Sequence, residues 1–329
     1  MARLAIILGD PTGIGPEVVV KALATSPPRE CLVIGDKSVW HEAERVARVE
    51  ISALTATKPG TSSKRGVSFQ EVEPDDRAWE SGEVSPAAGR AAVLWLEHAV
   101  SLATQGVVDG VVFAPLNKQA IMRAGYVVHD EYDLIAQFAG VQDHAEMNVI
   151  PHPTGKGFLW VARATSHLPF RDIHEHLTRS RILDTIRSAH GAAMSSGSAN
   201  PKVGVSALNP HAGEGGLLGD EETRVIRPAI EAAVADGIDA SGPYPADRVF
   251  PMAQSGQIDA VVSMYHDQAQ IATKLLAFDR GVTVATGFPF VLATPSHGTA
   301  FDIVGKGVAD PGAMIQAFHL AEMLAESRS

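Results

Sequence analysis

The 329-residue sequence contains a single cysteine and no long apolar run, and each shortage excludes a class of protein. Cys31 alone can form neither an intramolecular disulfide nor a cysteine-based zinc cluster. No run approaches the roughly 20 apolar residues that a membrane helix needs. The apolar stretch after Met1 is too short for a signal peptide. We therefore expect a cytoplasmic protein with no membrane partner and an inert Cys31.

Positive charge is also scarce in this sequence. The 27 lysines and arginines face 38 aspartates and glutamates, which gives a formal net charge of −11. Binding to a phosphate backbone relies on clustered lysine and arginine side chains, and these residues do not cluster here. We therefore expect no nucleic-acid partner. A local cationic pocket for a small anion stays compatible with this charge, because a few side chains set the field inside a pocket.

Short apolar runs alternate with longer amphipathic stretches, which is typical of an α/β fold. We interpret the segment 57–76, rich in glycine, proline and charge, as a solvated excursion. The length of the chain favours two domains. The predicted strands are Leu4–Leu8, Leu32–Ile34, Gly110–Phe113, Lys156–Val161, Val203–Leu208, Ala260–Met264 and Val282–Ala285. The predicted helices are Pro16–Thr25, Ser85–Gln105, Arg179–Ser195, Glu221–Asp236 and Pro311–Glu326.

A glycine-rich segment, Gly9-Asp-Pro-Thr-Gly-Ile-Gly-Pro-Glu17, follows the first predicted strand. Together with Asp36 after the next strand, it has features of a dinucleotide-binding fingerprint. Two details argue against that interpretation: Val18 stands at the third glycine position, and Pro16 lacks the N–H that a pyrophosphate would need. A tight turn that requires glycine dihedrals explains the segment equally well. In either case Asp10 would lie at the carboxyl end of a strand, where α/β proteins bind ligands.

Three other predicted strands are each followed closely by a histidine, namely His167, His211 and His266. Neutral imidazole is the commonest metal ligand, and a neighbouring carboxylate such as Asp267 can orient it. A histidine in such a turn can equally be hydrogen-bonded without any metal. The separations between the three match no local metal signature. Spacing alone therefore leaves both interpretations open.

Taken together, these segments resemble the 4-hydroxythreonine-4-phosphate dehydrogenase family of vitamin B6 biosynthesis over essentially the whole chain. The most specific matches are Leu208-Asn-Pro-His-Ala-Gly-Glu-Gly215, Met264-Tyr-His-Asp-Gln268 and His297-Gly-Thr-Ala300. The resemblance implies an α/β fold with two α/β/α domains and a central cleft, like that of isocitrate and isopropylmalate dehydrogenases. It also implies a homodimer whose active sites lie near the subunit interface.

The same resemblance assigns each domain a part of the site. Residues 1–125 and 280–329 would form the first domain, with the loop that holds the adenosine half of NAD. Residues 126–279 would form the second, with the metal ligands and the dimer contacts. The implied residues for NAD, with NADP as an alternative, are His297, Gly298, Thr299, Ala300 and Asp302. The implied ligands of a divalent ion (zinc, magnesium, manganese or cobalt) are His167, His211 and His266.

The implied chemistry is oxidation of a small hydroxy acid, followed by decarboxylation. Three imidazoles leave coordination positions open for the substrate. A metal-bound alcohol would lose its proton, hydride would pass to nicotinamide, and a carboxylate β to the new ketone would leave as CO₂. Asp247 or Lys118 could supply the final proton, and the sequence does not choose between them. A non-catalytic binding module is the competing hypothesis, against which the retained histidines, Asp247 and Lys274 argue.

The substrate-binding residues that the resemblance implies are His129, Asp130, Lys274, Thr283 and Leu292. His129 and Lys274 match the family pattern, whereas the other three positions depart from it. Asp130 stands where relatives with phosphorylated substrates have threonine, while Thr283 and Leu292 replace asparagine and arginine. An acid repels phosphate, and leucine cannot replace the bidentate contacts of arginine. The resemblance implies a 4-hydroxythreonine-4-phosphate type of substrate in pyridoxine biosynthesis. These departures keep a non-phosphorylated alternative, such as terephthalate cis-dihydrodiol or a sugar acid in a catabolic pathway.

Overall fold

The computed structural model describes residues 2–55, 66–127 and 130–328. The chain forms two compact units, of which the first is Met1–Ala145 with Val282–Ser329 and the second is Glu146–Gly281. The first unit therefore uses both ends of the chain. Within the described ranges, no helix has the length and apolar character to cross a membrane.

The strands are numbered along the chain. They are β1 (Leu4–Ile7), β2 (Glu30–Gly35), β3 (Leu54–Thr55), β4 (Gly66–Glu71), β5 (Gly110–Phe113), β6 (Ala145–Pro151), β7 (Phe158–Arg163), β8 (Val203–Ser206), β9 (Ala240–Tyr244), β10 (Ala260–Ser263), β11 (Val282–Thr286) and β12 (Val291–Pro295). The short strands β1, β5, β8 and β10 are buried along their whole length. Continuous apolar runs of this kind are typical of parallel strands covered on both faces.

Polar side chains begin several of the helices. Those of Asp36, Ser85, Asn117 and Asp130 accept hydrogen bonds from the first-turn N–H groups of α2, α3, α4 and α5, respectively. The helices are α1 (Gly15–Thr25), α2 (Lys37–Ala47), α3 (Pro86–Thr104), α4 (Lys118–Arg123), α5 (Glu131–Ala139), α6 (Ile173–His176), α7 (Arg179–Ser195), α8 (Arg227–Ala235), α9 (Ala246–Gln254), α10 (His266–Ala277) and α11 (Gly312–Arg328).

In the first unit the strands lie in the order β3-β4-β2-β1-β5-β12-β11. Neighbours are parallel except for β11 and β12. The carboxyl ends of β1, β2, β5 and β12 therefore lie at one edge of this sheet. Cys31 is buried in β2, and burial raises the pKa of its thiol to about 12. A thiol in this environment is unreactive, as expected.

In the second unit the order is β6-β7-β10-β8-β9, and neighbours are parallel except for β6 and β7. Apolar side chains from the strands pack against those of α9 and α10, with Leu159, Val161, Val249 and Val261 fully buried. The carboxyl ends of β7, β10, β8 and β9 share one edge. The predicted α/β fold is confirmed.

The interpretation of 57–76 as a solvated excursion is wrong for residues 66–71. Residues 66–71 form β4, which pairs in parallel with β2. Val67 and Phe69 are buried, and the Phe69 ring packs 5.3 Å from that of Trp40 between centroids. The alternation of apolar and polar side chains in this short run was masked by the glycine and charge around it. Residues 57–65 of that segment lie outside the described residues.

Candidate active site

Four of the predicted site residues follow strands that end at one edge of the second unit's sheet. His167 comes after β7, His266 after β10 and His211 after β8. Asp247 lies in the first turn of α9, directly after β9. Because β7, β10, β8 and β9 are parallel neighbours, their carboxyl ends bring these loops to the same edge.

His167 and His266 lie side by side at this edge. Their ring centroids are 5.5 Å apart, and both rings line a cavity of about 230 Å³. Nδ1 of His266 lies 2.7 Å from Oδ1 of Asp267, which leaves Nε2 as the free ring nitrogen. Among the described residues of this unit, no three His, Cys, Asp or Glu side chains bring their ligand atoms within 4.8 Å of one another. The structure thus pairs two of the three histidines and places His211 on the neighbouring loop.

The loop that carries His211 has an unusual backbone. Residues 211 to 215 all have positive φ values, between 41° and 75°. The left-handed region costs non-glycine residues energy, so the surroundings must hold His211 and Glu214 in it. Gly213 is required here, because a Cβ atom at this position would lie 2.7 Å from Oε2 of Glu222. His167 also has a positive φ, of 55°.

Glu222 holds the His211 loop in place through hydrogen bonds. Its side chain is buried, and Oε1 accepts hydrogen bonds from the backbone N–H groups of Leu208 and Asn209 at 2.9 and 2.7 Å. Oε2 lies 3.0 Å from Nδ2 of Asn209. This carboxylate fixes the start of the loop just before its left-handed turn. Sequence analysis missed Glu222, because an acid in an amphipathic stretch is typical of an exposed helix face.

Hydrogen bonds made by Thr165 and Gln268 join the three histidine loops. Thr165 donates from both its backbone N and its Oγ1 to the Met264 carbonyl, at 3.1 and 2.7 Å. Oε1 of Gln268 accepts from Met264 N at 2.9 Å, while its Nε2 donates to the Ala207 carbonyl at 3.0 Å. The loop after β10 is therefore bonded to the loops after β7 and β8. Gln268 lies in the Tyr-His-Asp-Gln motif, which could have identified it.

The predicted nucleotide segment lies at the corresponding edge of the first unit. His297 follows β12, and Ala300 adopts a left-handed φ of 43° before a short 3₁₀ turn, Phe301–Ile303. Nδ1 of His297 lies 3.1 Å from the Gly298 carbonyl oxygen. Asp302 is exposed within the turn. Lys118, also in this unit, is the exposed first residue of α4.

A second cavity of about 230 Å³ lies beside this segment within the first unit. Pro11, Gly13 and Glu17 of the glycine-rich segment line it, together with Trp79 and with Val304 and Gly305. Glu17 is only 4% exposed, and its Oε2 atom has no hydrogen-bond partner among the described residues. The cavity therefore has an apolar wall formed by Pro11, Trp79 and Val304. Such a surface suits a flat ring.

The predicted substrate residues are distributed over both units. In the second, Lys274 is exposed on α10, with its Nζ 5.7 Å from the centroid of the Phe278 ring. In the first, Oγ1 of Thr283 lies 2.9 Å from Oγ of Ser296. Leu292 is fully buried in β12, opposite Ala285 of β11.

Asp130, in the first unit, is the N-cap of α5. Its Oδ1 accepts hydrogen bonds from the N–H groups of Tyr132 and Asp133, each at 2.9 Å. Threonine is also a good N-cap, so the replacement of threonine by aspartate conserves the cap while adding a charge. His129 lies outside the described residues.

Several solved structures that are similar to this chain are dehydrogenases. A 4-hydroxythreonine-4-phosphate dehydrogenase from Klebsiella pneumoniae superimposes with a TM-score of 0.84 at 33% identity and covers 98% of each chain. A terephthalate 1,2-cis-dihydrodiol dehydrogenase from Burkholderia xenovorans LB400 gives a TM-score of 0.68 at 29% identity over 98% of each chain. Isocitrate dehydrogenase from Methylococcus capsulatus, at 17% identity and a TM-score of 0.51, shares the fold. The expected likeness in fold is confirmed.

The sequence comparisons agree with the structural ones. A 4-hydroxythreonine-4-phosphate dehydrogenase from Beijerinckia indica is 38% identical over 332 residues, which cover 98% of this chain and 94% of the relative. The family described as pyridoxal phosphate biosynthetic protein PdxA matches residues 28–321. Because this match spans most of the length and the relative aligns almost from end to end, the chain belongs to the PdxA family of dehydrogenases.

Proposed function

We propose that the chain is a divalent-metal- and NAD-dependent dehydrogenase that oxidises a small hydroxy acid and then decarboxylates it. The observation that carries this proposal is the shared sheet edge of the second unit. There His167, His211 and His266 follow three neighbouring parallel strands, and two of the rings lie 5.5 Å apart. Imidazole side chains are typical donors for zinc and related ions.

Two of the three proposed ligands, His167 and His266, lie close enough to share a metal ion. The hydrogen bond between Asp267 and Nδ1 of His266 fixes the ring's orientation and directs Nε2 away from the carboxylate. The bonds through Thr165 and Gln268 hold the loops of all three histidines together. An ion bound there would serve as a Lewis acid toward the substrate hydroxyl and the later enolate, with bound NAD as the hydride acceptor.

The chain's own groups would bind the substrate and move the protons. Asp247 lies in the first turn of α9, at the same edge as the three histidines. We therefore propose Asp247 as the donor that protonates the carbon from which CO₂ has departed. Lys118 stays the alternative donor. His297, Gly298, Thr299, Ala300 and Asp302 would bind the adenosine half of the nucleotide. The adjoining cavity, with its apolar wall of Pro11, Trp79 and Val304, supports a nucleotide at this unit.

For the substrate we propose first a phosphorylated hydroxy acid of the 4-hydroxythreonine-4-phosphate type, because relatives at 33% and 38% identity carry that name. A second candidate is a non-phosphorylated cyclic diol or sugar acid. The cavity beside the histidines favours it, since Leu168, Phe170 and Ile173 line one wall and none of its described lining residues is lysine or arginine. The buried Leu292 also offers no cation where the family pattern has arginine.

We also propose that the chain forms a homodimer. Ile271, Leu275 and Phe278 are 62%, 83% and 73% exposed and follow one face of α10 and its C-terminus. Exposed apolar stripes of this kind mark association surfaces. Light scattering after size exclusion should give twice the chain mass for the wild type, and Leu275→Glu should shift it toward the monomer. A monomeric wild type would contradict the proposal.

The central experiment measures metal content and NADH formation together. The purified chain with added zinc or manganese should reduce NAD with 4-phosphohydroxythreonine, or with the terephthalate dihydrodiol if the second candidate is right. His266→Ala and His211→Ala should lose bound metal and most of the activity. His319→Ala is the matched control, because His319 contacts Ser26 on the first unit's surface, 2.8 Å between Nε2 and Oγ. If both substitutions leave metal content and NAD reduction unchanged, the proposed function fails.

A further inference from the structure

The glycine-rich segment Gly9–Glu17 contacts the predicted nucleotide segment at its amino-terminal end. The backbone N–H of Ile14 donates to the Thr299 carbonyl at 3.0 Å. A Cβ atom at position 13 would lie 2.8 Å from Cβ of Thr299, so only glycine permits this approach. The glycine at position 13 thus serves a contact between two chain segments. A phosphate is not needed to explain it.

The same region also holds the chain that follows the predicted nucleotide residues, at Gly307 and Ala309. Oε1 of Glu17 accepts a hydrogen bond from Ala309 N at 3.0 Å. Nζ of Lys21, one helical turn later on α1, donates to that same oxygen at 2.8 Å and to the Gly307 and Ala309 carbonyls at 2.9 Å each. An ammonium group has three N–H donors, and all three are used here. This ion pair is largely shielded from water, with 5% and 17% of the two side chains exposed.

The segment between these anchors has little regular structure of its own. Within 299–309 the only regular element is the 3₁₀ turn Phe301–Ile303, and Ala300, Gly305 and Gly307 all have positive φ. Fixing such a backbone costs conformational free energy at each residue. A binding loop that is ordered before its ligand arrives avoids that loss on binding.

We propose that Glu17 and Lys21 are positioning residues that hold the segment 299–309 in its binding conformation before the nucleotide arrives. The glycine-rich segment then acts as a brace for the nucleotide loop. This inference rests on the proposed function, in which that loop binds NAD. Glu17 and Lys21 contact the backbone of the loop, so they affect nucleotide binding through the conformation of the loop.

The test uses the full chain, the nucleotide NADH alone as probe, and two substitutions. Lys21→Met removes the three donors, and Glu17→Gln keeps an acceptor for Ala309 while removing the charge. If the ordered loop falls to about a tenth of the population, the Kd for NADH rises about tenfold. We expect that rise in Lys21→Met, a smaller one in Glu17→Gln, and unchanged zinc binding in both. In activity assays KM for NAD should rise while kcat is largely kept.

The control separates positioning from a general loss of stability. Val261→Ala removes methyl groups from the fully buried core of the second unit and should lower Tm without affecting the brace. Hydrogen exchange without nucleotide should show faster exchange at 303–309 in Lys21→Met than in both the wild type and Val261→Ala. Equal exchange in this segment, or an NADH Kd no higher than that of Val261→Ala, would overturn the brace. If the wild type fails to bind NADH, the proposed function fails instead, and the exchange comparison still decides on the brace.

Discussion

A single carboxylate, that of Asp267, determines which nitrogen of His266 is available to a metal. It lies 2.7 Å from Nδ1 and is itself mostly exposed, with 70% of its side chain accessible. Loss of a carboxylate that orients a metal-bound histidine typically costs 10–100-fold in metal affinity. We predict a decrease in zinc affinity of about tenfold for Asp267→Asn, near the lower end because of the exposure. Competition with a chromogenic chelator measures it.

The control for this prediction is Asp184→Asn, which removes another exposed carboxylate of the same unit, on α7. Its zinc affinity should equal that of the wild type. An Asp267→Asn variant that binds zinc as tightly as the wild type would show that the His266–Asp267 contact is only a surface ion pair.

The buried carboxyl of Asp10 makes the stability of the folded chain depend on pH. It is 1% exposed, its Oδ1 accepts from the N and Oγ1 of Thr12, and its Oδ2 has no hydrogen-bond partner among the described residues. Burial raises the pKa of the Asp10 carboxyl, although the hydrogen bonds from Thr12 lower it in part. The folded chain therefore binds a proton at pH values where the unfolded chain, with an ordinary pKa of about 3.9, has released it.

The direction of the pH effect follows from this difference in the pKa of Asp10 between the folded and the unfolded chain. Stability contributed by the protonated Asp10 is present below the unfolded pKa and is lost as pH rises through the folded pKa. Asp10→Asn keeps the acceptor for Thr12 and removes the charge. We predict a higher Tm than that of the wild type at pH 8, with a gap that narrows toward pH 4, measured by calorimetry. A lower Tm for the variant throughout this range would contradict it.

Among the secondary-structure elements, α2 shows how a helix start depends on one acid. Oδ1 of Asp36 accepts from Ser38 N at 2.8 Å and Val39 N at 3.3 Å, and Oδ2 accepts from Nε of Arg77 at 2.8 Å. Burial alone would raise the pKa of Asp36, but the hydrogen bonds from Ser38, Arg77 and Val39 hold it below its usual range. The ionised Asp36 carboxylate stabilises the folded chain at pH values above the pKa that this group has in the unfolded chain. This stabilisation disappears as pH falls through the pKa of Asp36 in the folded chain.

We therefore predict that Asp36→Ala costs at least about 1 kcal/mol of unfolding free energy at pH 7. The cost should shrink at the lowest pH where the wild type stays folded, as measured by urea denaturation. Ser85→Ala is the matched control, because Ser85 caps α3 with an uncharged hydroxyl. Its cost should be similar at both pH values. If the unfolding free energy lost in Asp36→Ala does not change with pH, the charge of Asp36 does not contribute to stability as predicted.

The elements also show what the sequence could and could not predict. Continuous apolar runs identified β1, β5, β8 and β10, since burial on both faces leaves a strong signal in composition. The strand β9 was missed, because Gly242 and Pro243 interrupt it and only its pairing with β8 keeps it extended.

Some residues of the candidate site could be predicted from the sequence, and others could not. Loops that follow apolar strands could be placed at a sheet edge from the sequence, because parallel strands put their carboxyl ends together. Choosing His167, His211 and His266 among 13 histidines required a family resemblance as well. Glu222 could not be predicted, since its burial arises from contacts with the backbone of Leu208 and Asn209, distant in sequence. Tertiary contacts of this kind leave no local pattern.

In the whole molecule, the proposed metal site and the proposed nucleotide segment lie in different units. All three predicted metal ligands lie within Glu146–Gly281, whereas the predicted nucleotide segment lies in the unit formed by Met1–Ala145 and Val282–Ser329. Each loop is anchored by bonds inside its own unit, through Glu222 and Gln268 in one case and through Glu17 and Lys21 in the other. Each ligand should therefore stabilise its own loops without needing the other.

We predict separate patterns of hydrogen-exchange protection for the two ligands. Zinc alone should slow exchange at 165–168, 208–216 and 264–267, because a bound ion restrains the three loops that carry its ligands. NADH alone should slow exchange at 297–309. His266→Ala should abolish the first pattern and leave the second, whereas Lys21→Met should weaken only the second. If zinc protects 297–309 in place of the histidine loops, the assignment of the metal to the second unit is wrong.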